Sequence, residues 1–173
     1  RIADISLEWL RGATNGHAVF AGDPIRSFRS RPVASGIGQM GEFALVDVEL
    51  ASGAARRLFA KWQTPVDSMN EVARTYRMYE REVRFYQQLA QRIPARTPEV
   101  YFAHYDQDTH RVGLLMEAFD GWRSPDQIAG ASRREVELAV DQLVPITASL
   151  WNSDLELDWL PTYRTDYMRG AGA

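Results

Sequence analysis

The chain contains no cysteine, three histidines and a single lysine, and each shortage removes a class of chemistry. Without thiols there is no disulfide framework, no thiolate zinc site and no cysteine nucleophile. Three scattered histidines are too few to build a metal cluster. Lys and Arg total 20 against 23 Asp and Glu, a net charge of -3, so no broad positive surface is available to hold nucleic acid. Nowhere does an apolar run approach the roughly 18–20 residues of a membrane span. The segment from Arg1 to Gly12 also lacks the apolar stretch of a secretory signal, so a cytoplasmic protein with no membrane partner is expected. Repeats and low-complexity tracts are missing too.

What is present is a chain of 173 residues, 45% apolar and 25% charged, which is enough to close a real core. Because it opens on Arg1 and closes on Arg169-Gly-Ala-Gly-Ala173, it is expected to be a piece of a longer chain. Ser6 to Arg11 reads as a short capped helix ending at Gly12, and Ser27 to Ala34 as a strand running into a glycine cluster. Phe43 to Leu50 alternates apolar and polar residues, as a half-buried strand does, and Ala51-Ser-Gly-Ala turns it into a partner at Arg57 to Trp62. In that partner Leu58, Ala60 and Trp62 share one face and Lys61 points to the other.

Apolar residues then recur at spacings of three and four from Asn70 to Ile93, which predicts one long helix stopped by Pro94. Glu99 to Tyr105 and Arg111 to Glu117 bracket the turn-like Asp106-Gln-Asp-Thr-His110 and read as a second hairpin. After an irregular stretch, Ser132-Arg-Arg-Glu135 is a capping box opening a helix to about Trp151, with Pro145 expected to kink it. The fold class is therefore α+β with an antiparallel sheet.

Three features in this frame could carry chemistry. Gly36, Gly38 and Gly41 form G-x-G-x-x-G, which lets backbone N–H groups approach a phosphate closely and is otherwise simply a flexible hairpin loop. A dinucleotide-binding reading needs a helix directly after it, whereas Phe43 to Leu50 has a strand period. Lys61 is a compact charge that could meet phosphate oxygens and a carboxylate together, or else an exposed strand lysine. On the long helix at about 100° per residue, Glu82 falls in the row Met78, Glu82, Phe85, Leu89, the one carboxylate on the apolar side. Lys61 is its natural partner, with a carboxylate reaching water at the stripe's edge as the other reading. Glu80 falls at the solvated boundary and is expected to be a surface charge.

The set Gly36-x-Gly38-x-x-Gly41, Lys61 and Glu82-Val-Arg-Phe85-Tyr86 resembles the small lobe of the aminoglycoside phosphotransferase and ecdysteroid/choline kinase-like superfamily. Leu114-Leu-Met-Glu117 followed by Ala118-Phe119 is similar to that family's last small-lobe strand and hinge, and Asp126 to Gly130 to its entry into the large lobe. The resemblance implies a protein kinase-like small lobe over residues 1–117, a hinge over 118–130 and the beginning of a helical large lobe over 131–173. It implies ATP as cofactor, with Gly36, Gly38 and Gly41 covering the phosphates and Lys61 contacting the α- and β-phosphates. Glu82 would hold Lys61, and Glu117 to Phe119 would line the adenine pocket, mostly through backbone groups. Magnesium is also implied, with its ligands expected downstream of this chain, and the acceptor would be a hydroxyl group on a small molecule.

Such enzymes need a catalytic loop of the H-x-D-x-x-x-x-N type. The one His-x-Asp here, His104-Tyr-Asp106, is followed five residues later by Arg111 and lies between two strands, so it reads as an edge histidine and a turn aspartate. No catalytic residue is therefore assigned within the chain, and a non-catalytic nucleotide-binding module acting through partners is the alternative. Trp151 and Trp159 are expected to be exposed unless the rest of a large lobe covers them.

Overall fold

A computed structural model of the chain describes residues 2–33, 40–121 and 128–161. Five strands form one antiparallel sheet: β1 (Ile25–Pro32), β2 (Glu42–Leu50), β3 (Ala55–Trp62), β4 (Val100–Tyr105) and β5 (Val112–Glu117). Their order across the sheet is β1-β2-β3-β5-β4, so the second hairpin is laid against β3 through its later strand. Helix α1 (Leu7–Thr14) precedes the sheet, α2 (Asp67–Thr75) and α3 (Met78–Arg84) lie between β3 and β4, and α4 (Arg133–Leu150) follows β5.

The period-two pattern of β2 and β3 explains the layering. Ala44, Val46, Val48 and Leu50 alternate inward and meet Leu58, Ala60 and Trp62 on the same side of the sheet. That face is closed by α1 through Leu10 and Ala13. Burial of Leu10, Ile25, Leu50 and Leu58 is essentially complete and contributes about 1.5–3 kcal/mol for each side chain. The second face packs Leu114 and Met116 of β5 against Tyr79 and Val83 of α3 and Ala73 of α2.

Helix ends follow their caps. Ser6 accepts the Trp9 amide at 3.0 Å and starts α1, which runs past Gly12 to Thr14, whose hydroxyl donates back to the Leu10 carbonyl at 2.8 Å and so satisfies its own polar group in the buried last turn. In α4 the capping box is complete: Ser132 Oγ accepts the Glu135 amide, and Glu135 accepts the Ser132 amide at 2.7 Å. Pro145 lies inside α4 without ending it.

The helix expected from Asn70 to Ile93 is instead three pieces. Arg77 adopts a left-handed backbone, φ 50°, between α2 and α3, and five residues of π-helix, Phe85–Leu89, follow α3. The break is held by the Arg77 guanidinium, which donates to both oxygens of Glu80 at 2.8 Å and so fixes the start of the new helix. Apolar spacing cannot register this, because each piece keeps its own stripe. Val72 and Met78, assigned to the buried arc of a continuous helix, are exposed.

Trp159 also departs from expectation. It is only 2% exposed, and its indole N–H donates to Gln88 Oε1 at 2.7 Å, so the stretch after α4 returns to the helical layer between β3 and β4. Asp158 beside it reaches Arg84 at 3.7 Å. Trp151 is 74% exposed, as expected of an uncovered tryptophan. No helix among the described residues is long and apolar enough to cross a membrane.

Replacing Trp159 with Ala is predicted to cost about 3–5 kcal/mol in urea unfolding, and with Phe about 1 kcal/mol for the lost hydrogen bond. A Trp151→Ala change costs less than about 0.5 kcal/mol. Equal effects at the two positions would show that Trp159 is not docked.

Candidate functional site

β3 carries Lys61 on the face opposite Trp62, because successive residues of a strand alternate. Directly across the ladder on the two sides stand Phe43 of β2 and Leu114 of β5, and one pleat further Leu45, Phe59 and Met116. The lysine therefore rises from an apolar floor.

Its ammonium meets Glu82 of α3, at 2.7 Å from Oε1 and 2.6 Å from Oε2. The two side chains are 17% and 28% exposed, partly withdrawn from water but open on one side. A carboxylate gripped through both oxygens fixes the lysine stem, and the ion pair joins the sheet to the helix. The Phe43 ring lies 5.6 Å from the ammonium and stacks at 27° on Phe59, so the charge also faces an aromatic surface.

Gly41 completes this corner. A Cβ there would stand 2.8 Å from the tip of the Phe43 ring and 3.2 Å from Lys61 Cε, so only glycine lets the backbone cross this close to the lysine. Gly36 and Gly38 lie outside the described residues, as does Asp126.

Glu80 is a correction. Expected at the surface, it is 8% exposed and bonded to Arg77 and also to Arg84 Nε at 3.0 Å. Hydrogen bonding from Arg77 first, opposed by burial and aided by both charges, holds its carboxyl below the ordinary 4.5. The two acids of α3 thus divide the work: Glu80 is saturated by arginines and belongs to the helix break, whereas Glu82 is the one that reaches the sheet.

At the far end of β5, Glu117 pairs in register with Leu58, which puts its side chain on the face away from Lys61. The carboxylate accepts from Arg96 at 2.7 Å and from the Glu99 amide at 3.2 Å, and the Glu117 N–H donates to the Glu99 carbonyl at 2.7 Å. The Arg96 guanidinium also covers the Phe119 ring at 5.3 Å. Glu117 and Phe119 are thereby tied to one arginine, and Met116 is the residue of this strand end that shares the lysine's face. Phe59 was readable by counting alternate residues along β3 from Lys61, whereas Phe43 and Met116 join that face through the pairing of β3 with β2 and β5. His104 and Asp106 behave as the sequence suggests: His104 sits on edge strand β4, and Asp106 accepts the Asp108 and Thr109 amides at 2.9 Å in the turn.

Among the described residues no group of three or more His, Asp or Glu is placed to hold a metal ion. No protein-family model, curated protein or solved structure matches this chain.

Two outcomes follow. Gly41→Ala forces Phe43 off Phe59 or moves the backbone, and is expected to destabilise by about 1–3 kcal/mol in denaturant unfolding. Gly53→Ala is no measure of that effect, since Gly53 carries a positive φ of its own. For Glu80, a folded pKa below the unfolded one gives stability that is complete above 4.5 and is lost as pH falls through the folded value. Glu80→Gln therefore destabilises by about 1–3 kcal/mol at pH 7, and the gap to the parent narrows in acid. A gap independent of pH would remove the ion pair as its cause.

Proposed function

We propose that this chain is the nucleotide-binding lobe of a kinase-like phosphotransferase, one that moves a phosphoryl group from ATP to a hydroxyl group of a small molecule. The observation that carries this reading is the Lys61–Glu82 pair, a strand lysine held through both oxygens of a helix carboxylate. An antiparallel sheet with a helix packed on the lysine's face is the frame such a lobe requires, and the resemblance in the sequence selects it over other α+β arrangements.

The residues fit the phosphate end of a nucleotide. At Gly41 the missing Cβ leaves the backbone within reach of the space above Lys61, and Lys61 presents its ammonium there with its stem fixed by Glu82. Bound MgATP would supply the phosphoryl group itself. What this chain contributes is charge in a preset position, so little reorganisation is needed when phosphate oxygens arrive. Phe43, Phe59 and Met116 would give the nucleotide a dry apolar floor, and the backbone of Glu117 to Phe119 would border the base.

A general base and metal-binding acids, which transfer also demands, have no assigned residue in this sequence. The proposal for the chain is accordingly nucleotide binding. A non-catalytic binding module differs only in lacking those groups elsewhere.

Thermal unfolding with and without MgATP tests the site. The parent chain is expected to gain stability with nucleotide, as any ligand selective for the folded state produces. Lys61→Met should abolish that gain, and Glu82→Gln should reduce it far more than Glu80→Gln, each variant being compared with its own nucleotide-free midpoint. An unchanged gain in Lys61→Met would remove the lysine from the site, and equal losses at Glu80 and Glu82 would defeat the assignment of roles within α3.

A further inference from the structure

We propose that a pocket on the sheet face opposite Lys61 binds a small carboxylate carrying a flat apolar body. The pocket encloses about 340 Å³ and is lined by Trp9 of α1, Trp62 of β3, Phe102 of β4 and Gly113 of β5, with Gln63, His104 and Arg111 around it. That volume is within the range of small-molecule sites.

Its apolar side is a continuous wall of rings. Trp9 lies 5.7 Å from Trp62 at 45° and 5.6 Å from Phe102 at 76°, so each ring touches the next. Gly113 shapes the floor: a Cβ there would come within 3.2 Å of Phe102 and 3.9 Å of the indole nitrogen of Trp62. A flat body can therefore lie against the wall where any larger residue would fill the space.

Its polar side consists of donors that lack acceptors. Trp62 is only 8% exposed as a whole, but its indole nitrogen is not itself sealed from water: it makes no hydrogen bond to the described residues and keeps access to solvent on the pocket side, where a ligand acceptor can replace water. Gln63 spends its carbonyl oxygen on the Val112 amide at 3.2 Å, which leaves its NH₂ group to donate. Neither the Arg111 guanidinium nor the His104 ring has a hydrogen bond or ion pair among the described residues. Asp4 also borders the pocket but is engaged in an interaction of its own.

A ring of donors around one cationic side chain selects an anionic acceptor, and a carboxylate offers Arg111 two oxygens at once. A quaternary ammonium ligand is the competing chemistry for an aromatic site. It wants rings facing one another across a gap, whereas here Trp9 meets Trp62 at a tilt and Phe102 edge on face in a single wall, beside an arginine without an ion pair among the described residues. This site shares no residue with the Lys61 site, so the two readings stand or fall separately.

The test is a titration of the ¹⁵N-labelled chain with phenylacetate, its neutral analogue phenylacetamide, and tetramethylammonium, following the five indole N–H resonances. Trp62 is assigned by its disappearance in Trp62→Phe, a substitution that keeps an aromatic ring in the wall. The expected result is a saturable shift of the Trp62 resonance with millimolar phenylacetate. Binding of phenylacetamide, and binding of phenylacetate to Arg111→Gln, should each be about tenfold weaker. No movement of the Trp62 resonance at millimolar phenylacetate would overturn the proposal. So would equal binding of acid and amide, or a response to tetramethylammonium alone.

Discussion

The alternation of β3 is the constraint on which the rest of this structure depends. Lys61 and Trp62 are neighbours in sequence and must point to opposite faces of the sheet, and each face is then completed by different elements. On Lys61's side the partners are α2 and α3 and the apolar residues of β5; on Trp62's side they are α1 and the inner row of β2. A shift of β3 by one residue would exchange the two faces and destroy both. Pairing on both edges, to β2 and to β5, is what holds the register.

The ion pair between Lys61 and Glu82 ties that register to a helix, and it does so at a place where the helical layer is itself broken. A continuous helix from Asn70 onward would carry α2 and α3 as one rod, with a single rotation for both. The left-handed residue Arg77 lets α3 choose its own rotation, so that Tyr79 and Val83 pack on the sheet while Glu82 reaches the lysine. Left-handed backbone is unfavourable for a residue with a side chain, and here the two hydrogen bonds from Arg77 to Glu80 offset the cost. Glu80 is thus structural and Glu82 is the acid available to a site, although the two stand only two residues apart.

Much of this was legible in the sequence, for physical reasons that differ by element. The hairpins were visible because strand alternation and turn residues are local signals, and the start of α4 because a capping box is written in four consecutive residues. The partner of Glu82 could be read because a lone carboxylate in an apolar row needs a cation, and the chain has one lysine on a facing strand. The break at Arg77 was not legible. No glycine or proline marks it, and its cause is an arginine bonding to an acid three residues on, a pattern that also occurs in unbroken helices. The burial of Glu80 and Trp159 was hidden for a related reason: both depend on contacts among the pieces of a helical layer whose geometry the break decides.

The segment leaving β5 shows how arginines substitute for a hydrophobic anchor. Arg57 of β3 is hydrogen-bonded to Asp47 of β2 and, at 2.8 Å, to Asp120 beyond β5, and Arg96 joins Glu117 and Phe119. Exposed ion pairs contribute little individually, but a guanidinium shared between a strand and the chain leaving it restrains direction more than it adds stability. A protein with one lysine among 20 basic residues has given every such surface role to arginine. Lys61 is the exception: its compact ammonium meets both oxygens of Glu82 on one side and keeps donor capacity toward open space on the other, where a guanidinium fork would be fully taken up by the flat carboxylate.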